Sequence, residues 1–282
     1  MATSAIFPAY ATRGRFNAPL LATYIVLHIA ALAAPFTFSW AGAAAFLGLY
    51  FLTICLGIAL CYHRVLAHQS CQMARPLKFL LALLACLAYQ RGPIWWVACH
   101  RLHHRRVDRD GDPHSPRNSF WWSHFLWAFF RHPQLDEARE TTQRLAPDLQ
   151  RDPGMRFLER HYVSINAIFL ATLFAAGAYW GGWRLGVSLL VWGGFLRIIA
   201  GLNATWFVNS AAHLWGYRSF ETADTSRNNW WVALLTWGEG WHNNHHAHPR
   251  SARCGRAWYE MDVTYGMIRV FKACGWATRV AV

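Results

Sequence analysis

Residues 39–68 read SWAGAAAFLGLYFLTICLGIALCYHRVLAH. Through Tyr62 the stretch carries no charge and is almost wholly apolar or small. A bilayer core needs about 20 such residues as helix, so 39–62 predicts a membrane crossing. His63 and His68 follow at once, which delivers two imidazoles to one end of that crossing.

Three further apolar runs have comparable length, at about 16–36, 163–180 and 185–208, so four transmembrane helices are expected. A fifth run, 76–88, is shorter and ends in Gln90 and Arg91; it suits a buried or interfacial segment on or near the membrane surface. The composition agrees: 55% hydrophobic, 15% charged and 17 tryptophans, a departure from soluble globular averages. Only Arg13 and Arg15 precede the first run, and no short apolar segment with a small-residue cleavage site stands there, so no removable signal peptide is expected. With no repeat and no low-complexity linker, residues 1–282 are read as a single membrane domain.

The net charge of +13 does not indicate nucleic-acid binding, because the arginines are spread among apolar segments and form no dense run. They mark orientation instead. The connections at 37–38 and 181–184 contain one basic residue, Arg184, whereas the N-terminus, 63–162 and 209–282 hold nearly all the others. The positive-inside rule places those three regions, and both termini, on the cytoplasmic side. Such a face would also attract anionic headgroups or an acidic carrier. The seven cysteines include no Cys-x-x-Cys pair, and disulfides are not expected.

Of 15 histidines, nine fall in four short clusters on that predicted cytoplasmic side: His63 and His68; His100, His103 and His104; His213; and His242, His245 and His246. Residues three and four apart share a helix face, so each His-x-x-His-His triplet can converge on one point. The five-residue spacing of His63 and His68 requires a distorted helix end. Imidazole suits iron, copper, nickel or zinc, and nine imidazoles exceed what one tetrahedral zinc uses, which points to two metals. His28, His124, His132 and His161 read as ordinary polar or interfacial residues. His114 and His248, each beside a proline, read as residues that orient the metal ligands or merely end a helix.

The stretches HRVLAH, HRLHH and HNNHH, with 203–213 (NATWFVNSAAH) and 238–246 (GEGWHNNHH), resemble the membrane fatty-acid desaturases, specifically the delta-9 group that contains stearoyl-CoA desaturase. The resemblance runs from about residue 40 to 270. It implies an all-α integral membrane protein of four crossings with a cytosolic helical cap, and an O2-dependent reaction that introduces a cis double bond into a fatty-acyl substrate. It further implies a non-haem centre of two iron ions held by the nine clustered histidines, with Asn209 reaching a metal through water. Gln90, Trp96, Thr205 and Trp206 match family positions that line a kinked acyl tunnel near its bend. Phe51, twelve residues before His63 and thus about 18 Å away along an α-helix, is the expected plug that sets chain length.

One position departs from the family's animal members: Ala98-Cys99 stands where their acyl-CoA enzymes carry an Arg-Asp pair that helps hold CoA. The flanking 91–96 (RGPIWW) and 112–116 (DPHSP) resemble bacterial and cyanobacterial relatives, so the acyl carrier is CoA or a membrane lipid. No cysteine cluster of iron–sulfur spacing and no cytochrome b5-like domain is present. Electrons are therefore expected from a separate ferredoxin-like or cytochrome b5-like donor. A hydroxylase on the same metal site, or a non-catalytic membrane metal-binding protein, are the alternative readings.

Overall fold

A computed structural model describes residues 7–11, 15–137 and 143–282 of the chain. Among them the structure is almost wholly helical. Helix α1, Ala18–Ala31, starts where the Asn17 side chain accepts from the Leu20 amide at 3.2 Å, with Pro19 in its first turn, the arrangement an orphaned first turn favours. Its 14 residues span about 21 Å, less than the sequence run suggests, and the chain continues into a short 3-10 turn, Ala34–Thr37.

Helix α2, Trp40–Ala67, is long and apolar enough to cross a membrane, with a mean hydropathy of 2.3. Ser39 caps it by accepting from the Gly42 amide at 2.9 Å. From Phe51 to Ala67 it is a π-helix, whose wider turn advances less per residue than an α-helix. The second such stretch, Pro153–Leu214, has a mean hydropathy of 1.8 and is a hairpin. Gly181 (φ −148°, ψ 20°) and Gly182 (φ 75°, ψ 176°) break it, the latter in a conformation that glycine adopts without strain. The two legs, α5 (153–180) and α6 (183–214), fold against each other so closely that a Cβ on Gly177 would lie 2.7 Å from the Gly186 Cα.

The fifth apolar run forms helix α3, Arg75–Cys86. It is partly buried. It runs back along α2, with the Cys61 thiol near the Lys78 carbonyl and Gly57 against Ala85, where a Cβ would meet the Ala85 amide nitrogen at 2.6 Å. Leu87, past its end, accepts from Arg197 at 2.8 Å. Arg197 is 1% exposed and also donates to the Gly193 carbonyl at 2.7 Å and to Thr53 Oγ1 at 3.3 Å. It thereby ties α6 to α2 and to the end of α3. A helix α4, Pro93–Arg106, returns from that point.

The remaining chain forms short helices that cover the ends of α2 and α6: α7 (Trp230–Leu235), α8 (His242–Ala247) and α9 (Val263–Ala273). Arg64, at the end of α2, donates to Glu239 at 2.8 Å and to Asp262 at 2.9 Å. A two-residue antiparallel ladder, Gln72–Met73 with Ala277–Thr278, fastens the C-terminal segment beside the same junction. By contrast, the long helices leave large apolar side chains uncovered, such as Leu32, Leu47 and Ile168. Trp40, Tyr179, Trp180 and Trp183 cluster exposed near the hairpin end, as aromatic residues do at a membrane interface. Exposed apolar faces of this extent mark a surface that another apolar phase covers.

Candidate metal centre

Four helix ends meet inside the covering layer, and each brings histidines. At the end of α2 the His68 amide donates to the His63 carbonyl at 3.1 Å. Five residues make one π turn, so the spacing that looked awkward for an α-helix puts both imidazoles on one face, with ring centroids 4.8 Å apart. The expected distortion is present and extends over the whole of Phe51–Ala67.

The nine histidines form two groups. His63, His68, His100, His104 and His245 bring their ligand atoms within 4.8 Å of one another, and His103, His213, His242 and His246 do the same. Neither His-x-x-His-His triplet converges on one point as its spacing had suggested. In α4, His100 and His104 join the first group and His103 the second; in α8, His242 and His246 join the second and His245 the first. The reason is angular: consecutive helical residues differ by about 100°, so the second and third histidines of a triplet diverge by that angle. The two helices exchange partners and so build two adjoining sites.

The nitrogens are presented for a cation. Nε2 atoms face each other at 2.7 Å between His68 and His100, and at 3.1 Å in the pairs His63–His245, His245–His104 and His242–His213. His246 Nε2 is buried with no hydrogen-bond partner among the described residues. Burial, followed by the neighbouring imidazoles, pushes His100, His104, His242 and His245 well below the ordinary histidine range. They are therefore neutral, the form that coordinates a metal. Nine imidazoles in groups of five and four fit two ions, whereas one tetrahedral ion would leave five unused.

Behind them stands a layer of oxygen acceptors. The Nδ1 atoms contact Glu239 (from His63, 2.5 Å), Asp112 (from His103, 2.9 Å), Asp224 (from His246, 2.9 Å) and Thr225 Oγ1 (from His213, 3.3 Å). Asp108 in turn accepts from the Thr225 hydroxyl at 2.8 Å. Holding Nδ1 fixes the tautomer and turns Nε2 inward. Burial opposes ionisation of Glu239, but Arg64 and His63 outweigh it and hold the carboxyl down to about 2. Burial likewise opposes ionisation of Asp112, where His103 prevails and keeps the carboxyl below the usual range. None of Asp108, Asp112, Asp224, Thr225 and Glu239 was singled out from sequence; the only signal was the presence of Asp112 in DPH and Glu239 in GEGWH, next to recognisable histidines.

His114 is buried with its ring 4.3 Å from that of His103 and its Nδ1 3.9 Å from Asp112, so it does back a ligand. His248 does not. Helix α8 ends at Ala247, the chain turns at His248 (φ −135°, ψ 66°), and the exposed ring packs on Phe220 instead. His124 bonds Ser210 Oγ and Asn203 outside both groups.

Two cavities reach the centre from the membrane-helix side. One runs from Leu20, Tyr24 and Arg91 past Gln90 and Trp206 to His100. The other lies between Ile58, Ala59, Val208 and His63. Trp96, His100, Thr205 and Asn209 belong to both walls. A hydrogen-bonded chain sets their junction: the Trp96 indole donates to Gln90 Oε1 at 3.3 Å, and Gln90 Nε2 donates to Thr205 Oγ1 at 2.9 Å. Trp96 also stacks on His100, centroids 5.2 Å apart, and Trp206 on Tyr24 at 5.7 Å. Gln90, Trp96, Thr205, Trp206 and Asn209 are thus brought together as expected. Phe51 is not among the wall residues of either cavity; it packs edge-on against Trp237, centroids 5.3 Å apart. The α-helical rise used to place it does not apply to a π-helix.

Apolar helices, two adjoining histidine groups fit to hold metal and two mostly apolar cavities that share a wall beside them are the features of a membrane metalloprotein. The chain belongs to the fatty acid desaturase family, whose model matches residues 38–271, and it is an oxidoreductase, a fatty-acyl desaturase. It is 43% identical over 256 residues to an sn-2 palmitoyl-lipid 9-desaturase of Nostoc sp. (strain 36), covering 90% of this chain and 87% of that protein. It is 42% identical over 274 residues to an sn-1 stearoyl-lipid 9-desaturase of Anabaena variabilis, covering 96% of each. An acyl-CoA 5-desaturase of Anemone leveillei is 42% identical over 256 residues, 91% of this chain and 77% of that protein.

Proposed function

We propose that the protein introduces a cis double bond at the delta-9 position of a saturated acyl chain carried on a membrane lipid, using O2, two iron ions and electrons from a separate donor. The observation that carries this reading is the junction of the two cavities at Trp96, His100 and Thr205, directly beside both histidine groups. Iron at those groups would supply the oxidising power that no side chain possesses. The protein's part is placement. The Trp96–Gln90–Thr205 chain holds the bend, so one pair of methylenes rests against the histidine face while the rest of the chain is led away, and regioselectivity follows from position. Asn209, in the wall common to both cavities, is placed to hold a water toward the group of four histidines.

The lipid carrier is favoured over CoA by two features. Ala98 and Cys99 are buried and uncharged where the animal acyl-CoA enzymes carry an ion pair, and the relatives from Nostoc and Anabaena are named for acyl-lipid substrates. The exposed apolar faces of α2, α5 and α6, with α1, support four membrane crossings, and the arginine distribution supports a cytoplasmic metal centre with both termini on that side.

Expression in a host that makes only saturated lipid tests the reading. Monounsaturated delta-9 chains are expected in intact glycerolipids, and none with His103→Ala. Hydroxylated chains would assign the site to a hydroxylase, and an unaltered profile would refute an acyl enzyme.

A further inference from the structure

The nine histidines are reached from two sides, and the second side has a different chemistry. An open groove that shares no wall residue with the apolar cavities descends to His68, His104 and His246, each only partly buried, unlike His63, His103, His213, His242 and His245. Four arginines, Arg101, Arg105, Arg144 and Arg250, line it against a single carboxylate, Asp224. Asp224 is already engaged by His246, and Arg101 by Asp148 at 2.7 Å. Arg105 and Arg250 are exposed and have no carboxylate partner among the described residues. The groove is therefore a positive funnel whose floor is the edge of the metal centre.

We propose that this groove is the docking surface of an acidic one-electron carrier protein, and that electrons enter the centre through His68, His104 and His246. The proposal rests on the desaturase reading. The balance of that reaction requires such a partner: R–CH2–CH2–R′ + O2 + 2 e− + 2 H+ gives R–CH=CH–R′ + 2 H2O. The two C–H bonds supply two of the four electrons that reduce O2, and the other two arrive singly from the reduced carrier, with two protons from solvent. A positive funnel raises the encounter rate with an acidic partner, an effect that salt screens. The acyl group does not compete for this surface, because its apolar cavities meet the centre from the other side.

The test uses purified iron-loaded enzyme in lipid vesicles, with a reduced acidic [2Fe–2S] ferredoxin as probe and dithionite as a protein-free reductant. The double variant Arg105→Glu/Arg250→Glu is expected to raise the KM for ferredoxin about tenfold or more at low ionic strength and to flatten its salt dependence. Iron content and dithionite-driven product formation should match wild type, and Arg269→Glu, an exposed arginine elsewhere, should change nothing. An unchanged ferredoxin KM and salt slope in the double variant overturns the proposal. A raised KM for the acyl substrate in place of the carrier overturns it too, reassigning the groove to an anionic headgroup. Wild-type enzyme that forms no unsaturated product even with dithionite refutes the desaturase reading itself, and the docking proposal with it.

Discussion

The metal centre separates two unlike environments. Toward the long helices its neighbours are Ile58, Ala59, Val208, Trp96 and Trp206, with few polar atoms; toward the covering layer its neighbours include four arginines in an open groove. One side can hold an acyl chain motionless and dry, the other can exchange charged partners quickly. What the contrast teaches is that the histidines alone do not make the enzyme. The same nine imidazoles between two wet faces could bind metal but would have nothing to hold methylenes beside it.

The sharpest break in that comparison comes from removing a ligand that belongs to both descriptions. His245→Ala, or His103→Ala, should abolish desaturation, at least 100-fold and below detection in lipid profiling; retained product in either would show that the groups of five and four are not the working centre. Next in size are the acceptors behind the ligands. Glu239→Gln and Asp112→Asn keep shape while weakening the hold on His63 and His103, and iron affinity and turnover are expected to fall about 10–100-fold, measured by chelator competition and product rate.

The dry side is tested on its own by Gln90→Leu. This change severs both bonds that link Trp96 to Thr205, so double-bond position should scatter and turnover fall about tenfold, a fraction of the loss a 1 Å misplacement can bring, with iron content unchanged. Loss of iron would mean that Gln90 supports the ligands and not the bend. A smaller effect is expected at the helix contact beneath both regions: Gly57→Ala places a methyl against the Ala85 backbone and should cost about 1–3 kcal/mol, seen as a lowered unfolding midpoint. The smallest is Phe51→Ala, which should leave the product chain-length profile unchanged because the ring lies outside both cavities.

Much of this was legible in the sequence, but unevenly. Apolar runs report their length directly, so the stretches that form α2, α5 and α6 were visible, and Gly181-Gly182 fell in the expected connection. The histidines announced themselves by type and repetition. Their division between two sites did not, because it depends on how α4 and α8 face each other. The carboxylates were hidden for a similar reason: Glu239 lies 176 positions from His63, and one acidic residue far from its imidazole carries no pattern. His248 looked equivalent to His114, each beside a proline, until the end of α8 turned it outward. The packing of α3 along α2 depends on Gly57 and Arg197, single residues that a hydropathy reading passes over.

Metal analysis of the purified protein is the most direct test of a centre in which the two groups hold two irons. Two irons per chain are expected in the wild type, with a reduced count in both His103→Ala and His245→Ala; one metal per chain, or zinc in place of iron in active enzyme, would contradict such a centre.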